Sequence, residues 1–173
     1  GPAIYRHFSG KEGLLVELLV EVSTRLLSGG QAVVAGARDA VTALDGLIEF
    51  HLDFALDEPD LIRIQDRDLP NLPAPAQRQV RRAQRRYVET WVGVLREVTP
   101  RLDEDRARVM AHAAFGLLNS TPHSVSSAGR EQSRAVLRAM TVAALSVNTS
   151  TGGRRPDVRL PRESIAPHRS PAR

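Results

Sequence analysis

The sequence contains no cysteine, so it can form neither a disulfide framework nor a thiolate metal site. That fits a reducing compartment, and a cytoplasmic protein is expected. No apolar run approaches the roughly 18–20 residues that a bilayer-spanning helix needs, so no membrane partner is expected. No secretory signal is visible. Segments with strand periodicity are missing, and no glycine-rich phosphate loop follows a strand. There is no His-Glu-x-x-His pair and no Gly-x-Ser-x-Gly elbow. The histidines (His7, His51, His112, His123 and His168) lie on separate segments, and no spacing supports a metal site built from His51, His112 and an acid. Neither catalysis nor a cofactor nor a metal is therefore expected.

Lysine is nearly absent. Among 24 basic residues only Lys11 is a lysine, which reads as the codon bias of a GC-rich genome. The body also lacks a net charge. Residues 148–173 hold six arginines against Asp157 and Glu163, which accounts for the whole formal charge of +4. The 24 basic side chains less those six, and the 20 acidic less those two, leave 18 of each sign elsewhere. A neutral body is no diffuse electrostatic binder of DNA, and basic character is local, at the N-terminus and in the tail.

What the sequence does have is helical period, in an all-α pattern. Leu14, Leu15, Leu18, Leu19, Val22, Leu26 and Leu27 recur at spacings of three and four, with Glu17, Glu21 and Arg25 opposite. This predicts a helix over 11–27, stopped by Gly29-Gly30. Asp39 is placed to cap a helix to about Leu56, whose polar stripe is only Thr42, Asp45, Glu49 and Asp53. His51 falls on the apolar side of that helix beside Phe54, as a ligand contact or as a core histidine bonded to backbone. Pro59 opens a short helix that ends in Leu69-Pro70-Asn71-Leu72-Pro73.

The longest helix is predicted over 74–98, with Val80, Ala83, Tyr87, Trp91, Val94 and Val98 on one face. Tyr87 and Trp91 are core packing or a pocket wall. Arg78, Arg81, Arg82, Arg85 and Arg86 decorate its first half, as a solvated face or as contacts to an anionic ligand such as the phosphates of a coenzyme A thioester. They are not read as a DNA surface, because the N-terminal motif described below lies at the other end of the sequence. Asp103 opens a helix to about Asn119 that includes Phe115, with His112 and Asn119 seven apart on one face. As buried polar groups these need partners: a ligand, another subunit, or each other through water. After a turn-rich loop over 121–129, a final helix over 130–147 is apolar almost all round its second half, so a partner helix is expected to cover it. Residues 148–173 are rich in Pro, Arg, Ser and Gly and read as a disordered tail.

The most specific stretch is Ala3-Ile4-Tyr5-Arg6-His7-Phe8-Ser9-Gly10-Lys11-Glu12-Gly13-Leu14-Leu15. Ser9 and Glu12 have capping-box spacing, and Gly10 eases a turn. Ile4 and Phe8 face one way, which leaves Tyr5, Arg6, His7 and Lys11 around a helix end as a phosphate-binding surface.

Tyr5-x-His7-Phe8-x-x-Lys11-Glu12-x-Leu14-Leu15 resembles the signature of the TetR family of bacterial transcriptional repressors. In that family the motif ends the recognition helix of a helix-turn-helix and begins the next helix. The resemblance implies two further helices ahead of it, so the chain as given is expected to dimerise but not to bind operator specifically. It implies three parts: residues 1–28 as the end of the DNA-binding domain with a connecting helix, 29–147 as an effector-binding and dimerisation domain, and 148–173 as the tail. Tyr5, Arg6, His7 and Lys11 would contact operator DNA. His51, Phe54, Tyr87, Trp91, His112, Phe115 and Asn119 would line the site of a small, largely apolar effector, with a fatty acyl or acyl-CoA molecule as the expected kind. The last two helices of each subunit would form the homodimer. Two other classes compete: a ligand-sensing co-regulator acting through another protein, which intact DNA recognition would rule out, and a helical-bundle enzyme, which turnover or bound metal would reveal.

Overall fold

Two aspartates open two of the helices in the same way. The carboxylate of Asp39 accepts the backbone N–H of Thr42 at 2.7 Å, and that of Asp103 accepts the N–H of Arg106 at 2.9 Å. The Thr42 hydrogen bond holds the Asp39 carboxyl below its usual pKa. The computed structural model describes residues 10–121 and 129–146. Its helices are α1 (Gly10–Gly36), α2 (Ala40–Asp57), α3 (Pro59–Asp68) with a following 3-10 turn at Leu69–Asn71, α4 (Ala74–Val98), α5 (Glu104–Leu118) and α6 (Arg130–Leu145). No strand occurs among the described residues. Most of the expected loop after Asn119, and the tail, lie outside them.

The first helix departs from expectation. It does not stop at Gly29-Gly30 but runs to Gly36, and at 27 residues it, rather than α4 with 25, is the longest. The glycines mark a close crossing. A Cβ on Gly29 would lie 2.3 Å from Phe50 Cζ, and one on Gly30 would lie 2.5 Å from Tyr87 Cε2. Each interior glycine costs a helix about 1 kcal/mol relative to alanine. Here that cost is offset by the ring contacts that only a bare Cα admits.

α1 and α4 run side by side in the same direction. Val16, Leu19 and Val20 pack with Leu72, Ala76 and Val80 in one small cluster, and further along Gly30 meets Tyr87. The first half of α4 therefore sits at the end of the molecule where α1 begins. This corrects the expectation that the arginine run lies at the other end from the N-terminal motif, whose last residues, Lys11 to Leu15, open α1. Remoteness in sequence was undone by the parallel packing of two helices.

The main core joins α2, α4 and α5 around Leu47, Leu52, Trp91, Ala111 and Leu118, all fully buried. Against α2 lies α6, held by an ion-pair ladder. Arg130 pairs with Asp57, Arg134 with Asp53 and Glu49, and Arg138 with Glu49 and Asp45. The narrow acidic stripe of α2 thus faces arginines spaced one turn apart. The outer side of α5 and α6 is bare and apolar. Val109, Val136, Met140 and Val142 are exposed, together with Ala113, Gly116, Ala135, Ala139 and Ala143.

Candidate functional site

Aromatic residues are few, and the fold gathers them. His51, Phe54, Tyr87, Trp91 and Phe115 form one cluster: Tyr87 stacks on Phe115 at 5.6 Å, Phe115 meets Trp91 edge-on at 5.0 Å, and His51 lies 5.2 Å from Phe115. The spacing of Tyr87 and Trp91 on α4 sets both rings against the α5 residue Phe115, while on α2 His51 meets Phe115 and Phe54 meets His51.

Within this cluster His51 is buried and bonded on both ring nitrogens. Nδ1 lies 3.2 Å from the Tyr87 hydroxyl, and Nε2 lies 2.9 Å from Asn119 Oδ1. An amide oxygen only accepts, so Nε2 carries the proton and donates to Asn119. Nδ1 is then free to accept the Tyr87 O–H. Every link of this chain suits a neutral imidazole. Burial drives the His51 pKa down to about 4, against a smaller opposing effect of the Asn119 bond. The same burial pushes the Tyr87 phenol up, so it stays protonated. The partners of His51 are thus side chains, not the backbone groups considered above.

A cavity of about 220 Å³ opens beside this network. Of the residues that the sequence singles out, His51, Phe54, Tyr87, His112, Phe115 and Asn119 line it. Trp91 does not; it is fully buried behind the wall and its indole N–H has no partner within hydrogen-bond geometry among the described residues. His112 departs from expectation too, for it is exposed rather than buried. It shares its helix face with Val109, Ala113 and Gly116, which points away from the core, and meets the ring of Phe115, one turn along the same helix, edge-on at 6.4 Å.

Sequence reasoning missed the rest of the lining: Ser23 and Leu26 of α1, Ile62 and Gln65 of α3, and Gln84 and Val88 of α4. Gln84 and Val88 were legible, since they lie within one turn of Tyr87. Ser23 and Gln65 were not, because nothing local says which helix will pass over the cavity. Ser23 instead returns its hydroxyl proton to Leu19 O at 2.6 Å. No Asp, Glu, Lys or Arg side chain lines this cavity. The amide N–H₂ of Asn119 has no partner among the described residues, which leaves a donor at the wall.

A second cavity, of about 290 Å³, lies between the C-terminal end of α4 and the helices α2, α5 and α6, with Asp45, Arg101 and Arg106 on its wall. Although larger, it touches neither α1 nor the aromatic cluster. Of the residues expected at DNA, Lys11 is exposed in the first turn of α1, while Tyr5, Arg6 and His7 lie outside the described residues. No group of three His, Cys, Asp or Glu side chains among the described residues is placed to hold a metal ion. No described helix is long and apolar enough to cross a membrane.

Comparison with known proteins agrees with this architecture. The family described as "Tetracyclin repressor-like, C-terminal domain" matches residues 37–147. A TetR-family transcriptional regulator from Bordetella parapertussis superposes with a TM-score of 0.68 at 19% identity, covering 81% of this chain and 76% of that one. PfmR, a TetR family transcriptional regulator from Thermus thermophilus, superposes with a TM-score of 0.68 at 20% identity, covering 83% of this chain and 79% of that one. No curated protein matches the sequence.

Proposed function

The chain belongs to the TetR family of transcriptional regulators, and from that premise we propose that the aromatic cavity is the site through which a small, neutral, largely apolar effector controls attachment to DNA. One observation carries this reading: Ser23 and Leu26, on the cavity wall, belong to the same helix that begins directly after the Tyr5-x-His7-Phe8 motif. A molecule that fills the cavity pushes on α1. The glycine contacts at Phe50 and Tyr87 leave α1 no slack against α2 and α4. Displacement is therefore passed along a rigid helix to the DNA-reading end. Such a shift requires that the effector bind the two conformers with different affinity.

The lining also argues for the effector's chemistry. A bound carboxylate would find no Lys or Arg to pair with, and burying it unpaired is costly. Asn119, Gln65, Gln84 and Ser23 offer neutral hydrogen bonds instead. About 220 Å³ lies below the roughly 300–1,000 Å³ typical of drug-sized pockets, so the ligand is small. A fatty acyl chain would suit the apolar wall, but coenzyme A would lack the anchor expected for it. Arg78, Arg81, Arg82, Arg85 and Arg86 are all exposed, and none of them lines the cavity.

The exposed apolar side of α5 and α6 would seat the same side of a second copy, giving a four-helix interface. Paired recognition helices of the complete protein would then enter successive major grooves of a pseudo-palindromic operator. Tyr5, Arg6 and His7 would contact the duplex, and Lys11 a phosphate.

Native mass spectrometry with titration of the fluorescence of Trp91, the sole tryptophan, tests the proposal. The expected result is a dimer that takes up a small neutral aromatic compound with a change in emission. Asn119→Ala should weaken uptake by up to about tenfold, the scale of one lost buried hydrogen bond. Met140→Glu should give monomers. Uptake unchanged by Asn119→Ala, or a preference for anionic compounds, would defeat the effector assignment. Dimers of Met140→Glu would defeat the interface.

A further inference from the structure

Most of the arginines among the described residues are paired. Arg25, Arg38, Arg63, Arg67, Arg96, Arg106, Arg108, Arg130, Arg134 and Arg138 each carry an ion pair to an acid. The run on the first half of α4 breaks the pattern. Arg78, Arg81, Arg82, Arg85 and Arg86 are all exposed, none pairs with an acid among the described residues, and no acid occurs on α4 before Glu89. At 100° per residue the five fan across the side of α4 opposite Val80, Ala83 and Tyr87, so they form one surface. Because the body outside the tail has no net charge, this patch is a local field rather than a share of a basic protein.

The patch also has a position. Ala76 and Val80 pack beside Val16, Leu19 and Val20, so Arg78, Arg81 and Arg82 lie level with the first turns of α1. At about 1.5 Å per residue, those turns are roughly 10–15 Å along the axis from Gly10. That is one to two Debye lengths at physiological salt, about 8 Å each, before the reach of an arginine side chain is counted. Arg85 and Arg86 stand about one turn farther away.

From this we infer that the outer face of α4 is an accessory DNA surface, in which Arg78, Arg81 and Arg82 engage backbone phosphates beside the start of α1 while Arg85 and Arg86 add long-range attraction. The contacts would carry no sequence information; they would raise affinity for any duplex and speed the search for a site. None of these arginines lines the effector cavity, so the contacts need no ligand in it.

The test is a fluorescence-anisotropy titration of the 173-residue chain with a labelled mixed-sequence duplex over a salt series. Arg78→Gln/Arg81→Gln/Arg82→Gln is compared with Arg154→Gln/Arg155→Gln/Arg159→Gln, which removes the same charge from the tail. The α4 variant is expected to bind about tenfold or more weakly at low salt and to flatten the plot of log K against log salt by about 2 to 3, near one per lost phosphate contact. The tail variant should lose much less. Circular dichroism controls for folding, which exposed positions should not disturb. Equal losses in the two variants would reduce the effect to net charge, and a wild-type slope in the α4 variant would remove the contacts; either overturns the inference. So would loss of binding to phosphatidylglycerol vesicles with duplex binding unchanged, which would assign the surface to a membrane.

Discussion

α1 and α6 are both held against α2, but by opposite means. α1 touches it through Gly29, whose bare Cα meets the ring of Phe50, and touches α4 through Gly30 against Tyr87. α6 is held by Arg130, Arg134 and Arg138 over the acids of α2, in pairs that remain partly exposed. The first joint is neutral, short-ranged and intolerant of added atoms. The second is screened by salt and forgiving of geometry. The difference suits the two tasks proposed for them. A helix that must transmit a displacement needs contacts without slack, and van der Waals contact at a glycine provides that. A helix that must present a flat outer face to a second copy needs only to be kept in place.

The largest break in this comparison should come from protons at His51, on the α1 side. Its folded pKa, about 4, lies below the ordinary 6.5, so the unfolded chain binds the proton first. Stability is then fully present above about pH 6.5 and is lost as pH falls through 4, by up to roughly 3 kcal/mol at 1.36 kcal/mol per unit. Urea midpoints measured between pH 7 and 4 should fall accordingly, and His51→Gln should remove that part of the slope. An equal slope in the variant would mean that other groups carry it.

A smaller effect is expected at the glycine crossing. Gly30→Ala should destabilise by about 1–3 kcal/mol through overpacking against Tyr87, although alanine is the better helix former. Gly93→Ala, where a Cβ would meet nothing within 4 Å, should instead stabilise by about 0.5–1 kcal/mol. Thermal melts of the two proteins decide it, since propensity alone predicts the same sign for both.

The smallest effect belongs to the ladder. Arg138 is 40% exposed, and such pairs are typically worth less than about 1 kcal/mol. Arg138→Gln should therefore shift the melting temperature slightly at low salt and not at all at 1 M salt, where screening acts within about 3 Å. A loss that persists in high salt would show that the guanidinium packs rather than pairs.

How legible each element was follows from the range of its causes. Asp39, Pro59 and Asp103 act within one turn, and each marks its helix where the sequence places it. The spacing of Tyr87 from Trp91 put both on one face for the same reason. Gly29-Gly30 misled because glycine has two uses, ending a helix or admitting a neighbour, and only the presence of Phe50 and Tyr87 selects between them. His112 misled in a related way, since apolar neighbours in sequence stood in for a core that lies on the other side of α5.

By itself, the sequence determined the all-α class, most helix boundaries, the aromatic and polar residues available to a site, and the bare side of the last helix. Each is written in periodicity and capping, which act over three or four residues. Only the tertiary structure decided that α1 passes over the cavity with Ser23 and Leu26, that His51 bonds Tyr87 and Asn119 together, and that the arginines of α4 stand beside the start of α1. These depend on which helices lie adjacent and in which direction they run. Nothing local encodes that, because it is fixed by the burial of all the apolar faces at once.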